Sequence, residues 1–332
     1  MRDPVRVLAV VPGPEHHGVV RHGLAVAALV AARGAHVTVV RSTDGTCSVE
    51  RHDVTHVQFT DALFGPDVTT AASAFEVWSA TARRPLVVSL HDVPDGSGDP
   101  ARDLRRRLAY GRVVAASDTV VVGTEHEANA ARLLGPADTT VVPLPLEVLP
   151  PPGPEPTWAG RQTLGVLGFV YPGKGHAEAL GLAAASVGRV AVVAVGAASP
   201  GHEVLLAELH DEARHLGVDL LATGPLSDAD LHAAARAVTV PVAAYRTSGS
   251  SASLATWLAC GRRPVATATP QVRELAARWP GAITACATGD ELALAVAASL
   301  AAPATTWLTD PPPRTDVAGA HLDVYRRTLA GA

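Results

Sequence analysis

The only lysine of this chain stands in a setting that suggests phosphate chemistry. Of 27 basic residues, every one except Lys174 is an arginine. Lys174 lies between two glycines in Tyr171-Pro-Gly-Lys-Gly-His176, after a predicted strand and before a predicted helix. A compact ammonium beside free backbone amides suits a phosphate group, although the loop lacks the Walker A spacing. Chance placement of a rare lysine is the alternative.

A histidine at the end of another predicted strand is the second candidate. His91 follows Leu86–Leu90 directly and precedes Asp92. Ligands of parallel sheets bind at the carboxyl ends of strands, and a neutral imidazole can both donate and accept hydrogen bonds. The alternative is a histidine tied to nearby backbone, with Asp92 capping a turn.

Two small-residue loops precede predicted helices. The first carries His17 and Gly18, and its glycine would let backbone amides approach an anion, although it is not a GxGxxG fingerprint. The second, Ser248-Gly249-Ser250-Ser251, leads into a helix from about Ala252, whose free amides would meet a diphosphate. A plain strand-to-helix turn and an ordinary capped helix are the respective alternatives.

Two other patterns are interpreted as structural. Asp228-Ala-Asp230 has DxD spacing, but after Ser227 it fits the acidic first turn of a helix, so we expect no metal site. An arginine cluster is interpreted as a solvated helix face, with peripheral contact to anionic lipid as the alternative; it comprises Arg102, Arg105, Arg106 and Arg107.

Short valine-rich runs alternate with stretches of helical spacing along the whole chain. Strands that are apolar on both faces and separated by helices predict doubly wound parallel sheets in the α/β class. The predicted strands are Val5–Val11, His36–Val40, His56–Phe59, Leu86–Leu90, Thr119–Val122, Thr140–Pro143, Thr163–Phe169, Arg189–Val195, Leu220–Thr223, Thr239–Val242 and Pro264–Ala266.

A proline-rich segment divides the pattern into two similar halves. The run Leu149-Pro-Pro-Pro-Gly-Pro-Glu-Pro156 cannot hold a helix or a central strand. We therefore expect Rossmann-like domains over 1–149 and 158–312, a linker over 150–157, and a terminal helical segment over 313–332 that could return to the first domain. Two such domains would face a cleft.

Composition excludes several classes of protein. The 332 residues carry a net charge of −5, so no basic excess exists to neutralise nucleic acid. The three cysteines are too few and too scattered for a disulfide framework, which favours a reducing, cytoplasmic location. No stretch has the roughly 18 uninterrupted apolar residues of a membrane span.

In order along the chain, these segments resemble the family 4 glycosyltransferases, which have the GT-B fold. The resemblance covers nearly the whole chain and depends on five pieces: His17-Gly-Val-Val-Arg21, Val87-Val-Ser-Leu-His-Asp92, Val121-Val-Gly-Thr-Glu-His-Glu127, Leu167-Gly-Phe-Val-Tyr-Pro-Gly-Lys-Gly175, and Ser248-Gly-Ser-Ser251 with Ala259-Cys-Gly-Arg-Arg-Pro-Val265.

The resemblance implies a retaining, metal-independent hexosyltransferase that takes a sugar from a nucleotide-sugar, such as a UDP- or GDP-sugar, to a hydroxyl-bearing acceptor, with no cofactor. The donor would lie mainly on the carboxyl-terminal domain and the acceptor on the amino-terminal domain. It implies that Lys174 holds the donor diphosphate and His91 contacts the sugar near the reacting centre. It also implies phosphate contacts from Gly18, Gly249, Ser250 and Ser251.

The chain departs from this family at the donor motif. Ser248 and Thr256 stand where the family has two glutamates that contact the sugar and the ribose. Arg246 is a candidate second cation, and His17 and Asp92 are additional candidates. A nucleotide-sugar-binding protein without turnover is therefore the alternative to an enzyme. An epimerase or a phosphorylase is a third possibility that no residue favours.

Overall fold

A computed structural model describes residues 4–15, 17–43, 51–96, 99–146, 148–245 and 251–331. Its strands are β1 (Arg6–Val10), β2 (His36–Val40), β3 (Val54–Phe59), β4 (Leu86–Leu90), β5 (Thr119–Val122), β6 (Asp138–Val141), β7 (Thr163–Leu167), β8 (Ala191–Val195), β9 (Leu220–Ala222), β10 (Val240–Ala243), β11 (Val265–Thr267) and β12 (Thr284–Cys286).

Helices connect most of these strands. They are α1 (Gly18–Ala32), α2 (Asp61–Phe64), α3 (Val68–Ser79), α4 (Pro100–Ala115), α5 (Glu125–Arg132), α6 (His176–Ala184), α7 (Glu203–Leu216), α8 (Asp228–Ala237), α9 (Ala252–Ala259), α10 (Pro270–Arg278), α11 (Gly289–Ala301) and α12 (Val317–Gly331), with a 3₁₀ turn at Pro303–Thr306.

The first compact unit comprises Met1–Pro145 and Thr315–Ala332. Its sheet has the strand order β2-β1-β3-β4-β5-β6, and each of these strands runs parallel to its neighbours. Side chains of a strand alternate between the two faces of a sheet. In β1, Leu8 and Val10 pack with α3 and α4, whereas Val7 packs with α1 and α12.

The last helix belongs to this first unit. Val317, Leu322, Val324 and Tyr325 of α12 are buried in the cluster that contains Val7 and residues of α1. An ion pair between Arg33 and Asp316 lies beside the start of the helix. The sheet of the first unit is thus covered on one face by a helix that begins 176 residues after the last strand of that sheet.

The second compact unit comprises Leu146–Arg314. Its sheet has the order β12-β11-β10-β7-β8-β9, again with parallel pairing throughout. The proline-rich segment packs within this unit, where Gly153 N–H donates to the Ala229 carbonyl and the Pro150 carbonyl bonds to the His232 ring. Because β7 and β10 are neighbours, the loops after them emerge side by side.

One strand is absent from the sequence-based prediction, and the start of one helix agrees with it. The edge strand β12 was not predicted, because its three residues contain no valine and form no valine-rich run. Ser227 caps α8 by accepting from Asp230 N–H, which places Asp228 and Asp230 in the first turn of that helix. No helix in the described part of the chain is both long and apolar enough to cross a bilayer.

Candidate functional site

Lys174 is buried in the second unit. Its side chain is only 5% exposed, and Nζ donates to Ser253 Oγ over 2.9 Å. The ammonium also lies 4.4 Å from the ring centre of Tyr245 and 5.6 Å from that of Tyr171. Among the described residues, no carboxylate and no second hydrogen-bond acceptor contacts it.

A buried charge is costly unless it is paired, and aromatic faces compensate only part of that cost. The other buried cation of this unit shows the contrast. Arg262 donates to the carbonyls of Ala235, Arg236 and Thr239 and to Thr306, so the chain itself satisfies its guanidinium. Lys174 has one hydroxyl partner. The difference leaves the ammonium of Lys174 able to bind an anionic group.

Glycines allow this lysine to reach Ser253. Gly168 has φ +111°, and a Cβ there would stand 2.7 Å from Ser253 Oγ and 3.2 Å from Lys174 Cε. Gly175 has φ +97° at the N-terminus of α6, and its Cβ would stand 2.8 Å from the Ala244 carbonyl oxygen. Only a residue without a side chain fits both places.

The serine loop before α9 is described from Ser251 onward. Ser251 caps α9 by accepting from Leu254 N–H over 3.4 Å, and its hydroxyl donates to Tyr245 over 3.3 Å. Ser253, the partner of Lys174, is in the first turn of the same helix. The two candidate loops of the second unit therefore meet. Arg246, Ser248, Gly249 and Ser250 lie outside the described residues.

Thr256 is half-buried in the second turn of α9. Its hydroxyl donates to the Ala252 carbonyl over 3.0 Å, four residues back along the same helix. That bond uses its only proton, so Thr256 has oxygen lone pairs but no donor to offer a ligand.

His176 is a residue that sequence reasoning did not single out. It is the first residue of α6, is 3% exposed, and neither ring nitrogen has a partner in the described part of the chain. Burial, and then the charge of Lys174, lowers the pKa of His176 to about 4. The ring is neutral at pH 7. The sequence signal that could have identified His176 is its position directly after Gly-Lys-Gly.

In the first unit, the backbone around His91 is held from two sides. His91 N–H donates to the Phe59 carbonyl over 2.9 Å, and its carbonyl accepts from Tyr110 OH over 3.1 Å. The half-buried ring bonds through Nε2 to Gln58 Oε1 at 3.0 Å and meets the His22 ring edge-on at 5.3 Å. His91 is therefore positioned by β3, α1 and α4 together.

Asp92 shapes the turn after His91. It has φ +56°, which only a minority of non-glycine residues adopt, with aspartate among those favoured. Its carboxylate accepts from Thr60 Oγ1 over 3.0 Å, and its carbonyl accepts from Arg106 over 2.6 Å. These bonds hold the turn that directs the chain away from β4.

The loop before α1 ends in a histidine cap. His17 Nδ1 accepts from Val19 N–H over 3.3 Å. Gly18 is exposed, and a Cβ on it would meet no atom within 4 Å. No packing within the described residues requires a glycine at position 18.

Comparison with solved structures identifies the architecture. No protein-family model matches the chain, and no curated protein matches its sequence. HepE of Anabaena, crystallised with UDP and glucose, is 16% identical over 98% of this chain and 95% of its own, with a TM-score of 0.67. Sucrose-phosphate synthase of Thermosynechococcus elongatus is 14% identical, with full coverage of both chains and a TM-score of 0.70.

The chain has the GT-B fold. The prediction of two Rossmann-like, doubly wound parallel-sheet units is therefore confirmed. AviGT4, a glycosyltransferase involved in avilamycin A biosynthesis, is also similar: it is 15% identical over 99% of each chain, with a TM-score of 0.62. At such identities the likeness shows the fold, so any activity must be argued from the residues of the site.

We expect Gly168→Ala to disrupt the Lys174 site. The added methyl group would force Ser253 Oγ or the lysine to move, in addition to the strain of a positive φ, which costs about 1–3 kcal/mol. Gly188→Ala is the matched control, because Gly188 has φ +89° but open space around its Cβ position. Urea unfolding should show a larger decrease in the free energy of unfolding for Gly168→Ala than for Gly188→Ala. Equal losses would contradict this account of the glycine.

Buried histidines of the first unit should make its stability dependent on pH. Burial, reinforced by the other rings, lowers the pKa of His56 well below the usual value, and burial lowers the pKa of His321 to about 4. An unfolded histidine binds a proton near pH 6.5, whereas these folded rings do not, so stability falls as the pH drops from about 6.5 towards 4.

Each such ring would remove up to about 1.4 kcal/mol per pH unit in this window. Urea midpoints measured between pH 7.5 and 5 should therefore decrease, and less steeply in a His321→Phe variant. A profile that is flat over this range would show that the rings are not kept neutral by folding.

Proposed function

We propose that this chain is a retaining glycosyltransferase of the family 4 type, acting as a hexosyltransferase on a UDP- or GDP-sugar. The observation that carries the proposal is the buried ammonium of Lys174, which has no carboxylate partner among the described residues and lies beside the first turn of α9. Its chemistry matches the diphosphate of a nucleotide-sugar. HepE, a structure of similar fold, was crystallised with UDP-glucose, which makes the UDP-sugar the first donor to test.

The ammonium would act on the leaving group. When the bond between the anomeric carbon and the diphosphate oxygen breaks, the oxygen keeps the electron pair and negative charge accumulates on the nucleoside diphosphate. A fixed cation in a water-poor site stabilises that charge more in the transition state than in the ground state. Backbone amides at the N-terminus of α9, including that of Ser251, would add to it.

The residues of the first unit would bind the sugar and the acceptor. His91 is the candidate for a hydrogen bond to a hydroxyl near the reacting centre, and Gly18 leaves room for a phosphate or sugar at the start of α1. The acceptor in this proposal is a hydroxyl group of a small molecule or a glycan.

The donor motif favours a second candidate function. With Ser248 and Thr256 in place of two glutamates, and with the proton of Thr256 used inside its own helix, the chain offers few contacts for discriminating sugars. A nucleotide-sugar-binding protein without turnover is therefore the alternative. Calorimetric titration of UDP-glucose and GDP-mannose, run beside donor hydrolysis assays, separates the two functions: binding without hydrolysis or transfer favours the alternative.

Lys174→Ala should weaken nucleoside diphosphate binding. A hydrogen bond to a charged group is worth about 1.5–3 kcal/mol, so the dissociation constant for UDP or GDP should rise about 10- to 150-fold. The control is Arg189→Ala, which removes a cation of the same unit whose side chain is 93% exposed. Calorimetry measures both, and unchanged affinity in Lys174→Ala would refute the phosphate assignment.

Transfer should proceed without a divalent cation, because the lysine and helix amides supply the positive charge that a metal ion would otherwise provide. We expect donor hydrolysis or transfer to persist in EDTA. Activity that disappears with the chelator and returns with Mg²⁺ or Mn²⁺ would contradict this part of the proposal.

A further inference from the structure

A continuous chain of polar side chains crosses the interior of the first unit. His91 Nε2 lies 3.0 Å from Gln58 Oε1, and Gln58 Nε2 lies 3.3 Å from His56 Nε2. His56 Nε2 also lies 2.8 Å from Ser89 Oγ, and its Nδ1 lies 2.8 Å from Tyr325 OH. All members except His91 are buried. The chain runs from the carboxyl end of β4 to helix α12.

Burial of these groups constrains how they hydrogen-bond. His56 and Gln58 are two residues apart in β3 and so lie on the same face of the sheet, where α1 and α12 pack. Central strands of parallel sheets are usually apolar, and a buried polar network is favourable only when its members are satisfied. Each hydrogen-bond donor in this row of side chains must therefore face an acceptor.

With the Gln58 amide oriented as in the structure, Nε2 towards His56 and Oε1 towards His91, one arrangement of protons matches these contacts. The Ser89 hydroxyl and the Gln58 amide N–H both donate to His56 Nε2, which makes that nitrogen an acceptor. His56 then carries its proton on Nδ1 and donates to Tyr325 OH. The Gln58 amide, oriented in this way, turns Oε1 towards His91, so His91 Nε2 carries a proton and donates to it.

We infer that Gln58, His56 and Tyr325 are positioning residues that hold His91 as the neutral Nε2–H tautomer, so that Nδ1 faces a ligand as a hydrogen-bond acceptor. This inference rests on the proposed function. At the carboxyl end of the sheet, Nδ1 of His91 would accept a hydrogen bond from a hydroxyl of the nucleotide-sugar. Among the described residues, Nδ1 has no hydrogen-bond partner in the protein.

The charge state of His91 agrees with this role. Burial lowers the pKa of His91 to about 4, against the opposing charge of Asp92 and with a further lowering from His17. The titratable groups that face the ring are His22 on α1, His17 at its cap and Asp92 in the following turn. A neutral imidazole accepts at one nitrogen only, so its tautomer decides which nitrogen recognises the ligand.

The test uses the full chain labelled with ¹⁵N in its histidines. Long-range ¹H–¹⁵N spectra at pH 7.5 report which ring nitrogen carries the proton, and the His91 signals are those lost in His91→Asn. We expect His91 in the wild type to be protonated on Nε2 alone. Protonation on Nδ1, or an even mixture of the two tautomers, would overturn the inference.

Variants then show whether the buried network of hydrogen bonds causes the Nε2–H tautomer of His91. Gln58→Leu and Tyr325→Phe should each shift His91 towards a mixture of tautomers. Tyr110→Phe is the matched control, because Tyr110 OH bonds the backbone carbonyl of His91 and not its ring. An unchanged His91 tautomer in the folded Tyr325→Phe protein, or an equal shift in Tyr110→Phe, would show that the network only packs the core.

Kinetics separate this inference from the proposed function. With UDP-glucose as the probe, Tyr325→Phe should lower kcat for donor hydrolysis about tenfold, the effect of one weakened hydrogen bond, and leave the dissociation constant of UDP unchanged. If the wild type binds neither UDP nor GDP, the proposed function fails while the tautomer measurement still decides the inference. An unchanged kcat together with the predicted tautomer shift would overturn the role in donor recognition.

Discussion

The site of the second unit depends on one uncompensated charge. Among the described residues the buried ammonium of Lys174 has a single hydroxyl partner, which is unfavourable in a protein interior, yet the surrounding chain holds it there. Neighbouring strands β7 and β10 bring their following loops together, Gly168 leaves the space for the lysine to pass, and Ser253 anchors Nζ at the first turn of α9. The same unit contains Arg262, whose charge is satisfied by carbonyls. The proposed function assigns this difference to the diphosphate of the donor.

The first unit has the same sheet architecture, but the hydrogen-bonded row of side chains from His91 to Tyr325 is neutral. Its buried histidines are kept neutral by burial, so their value lies in the direction of their hydrogen bonds and not in their charge. A network that crosses β3, β4 and α12 can impose one tautomer because every member has a fixed neighbour. One unit therefore presents a cation and the other an oriented neutral ring. In the proposed function, the cation would hold the leaving diphosphate and the neutral ring would bind a sugar hydroxyl.

Glycosyltransferase structures share this fold at only 14–16% sequence identity, so the architecture does not depend on most of the individual residues. Apolar strands with crossover helices suffice to build two parallel sheets, because any residues that keep the two faces apolar will pack. What distinguishes members of such a fold is the chemistry at the ends of the strands. In this chain, those ends carry Lys174, His91 and the helix that Ser251 caps.

Local pattern alone predicted most strands, the Gly-Lys-Gly loop and the position of His91, because strand periodicity, turn glycines and helix caps are properties of neighbouring residues. It could not predict the partner of Lys174, which is 79 residues away, or the bond between His56 and Tyr325, which joins residues 269 apart. Those contacts depend on the order of strands in the sheet and on the packing of α12 against α1, and neither is encoded in a short window of sequence. The sequence by itself determined which groups could do chemistry. Only the tertiary structure decided that the lysine is buried with no carboxylate beside it in the described part of the chain, and that the ring of His91 is held by Gln58. Burial and hydrogen-bond direction arise from distant segments packing together.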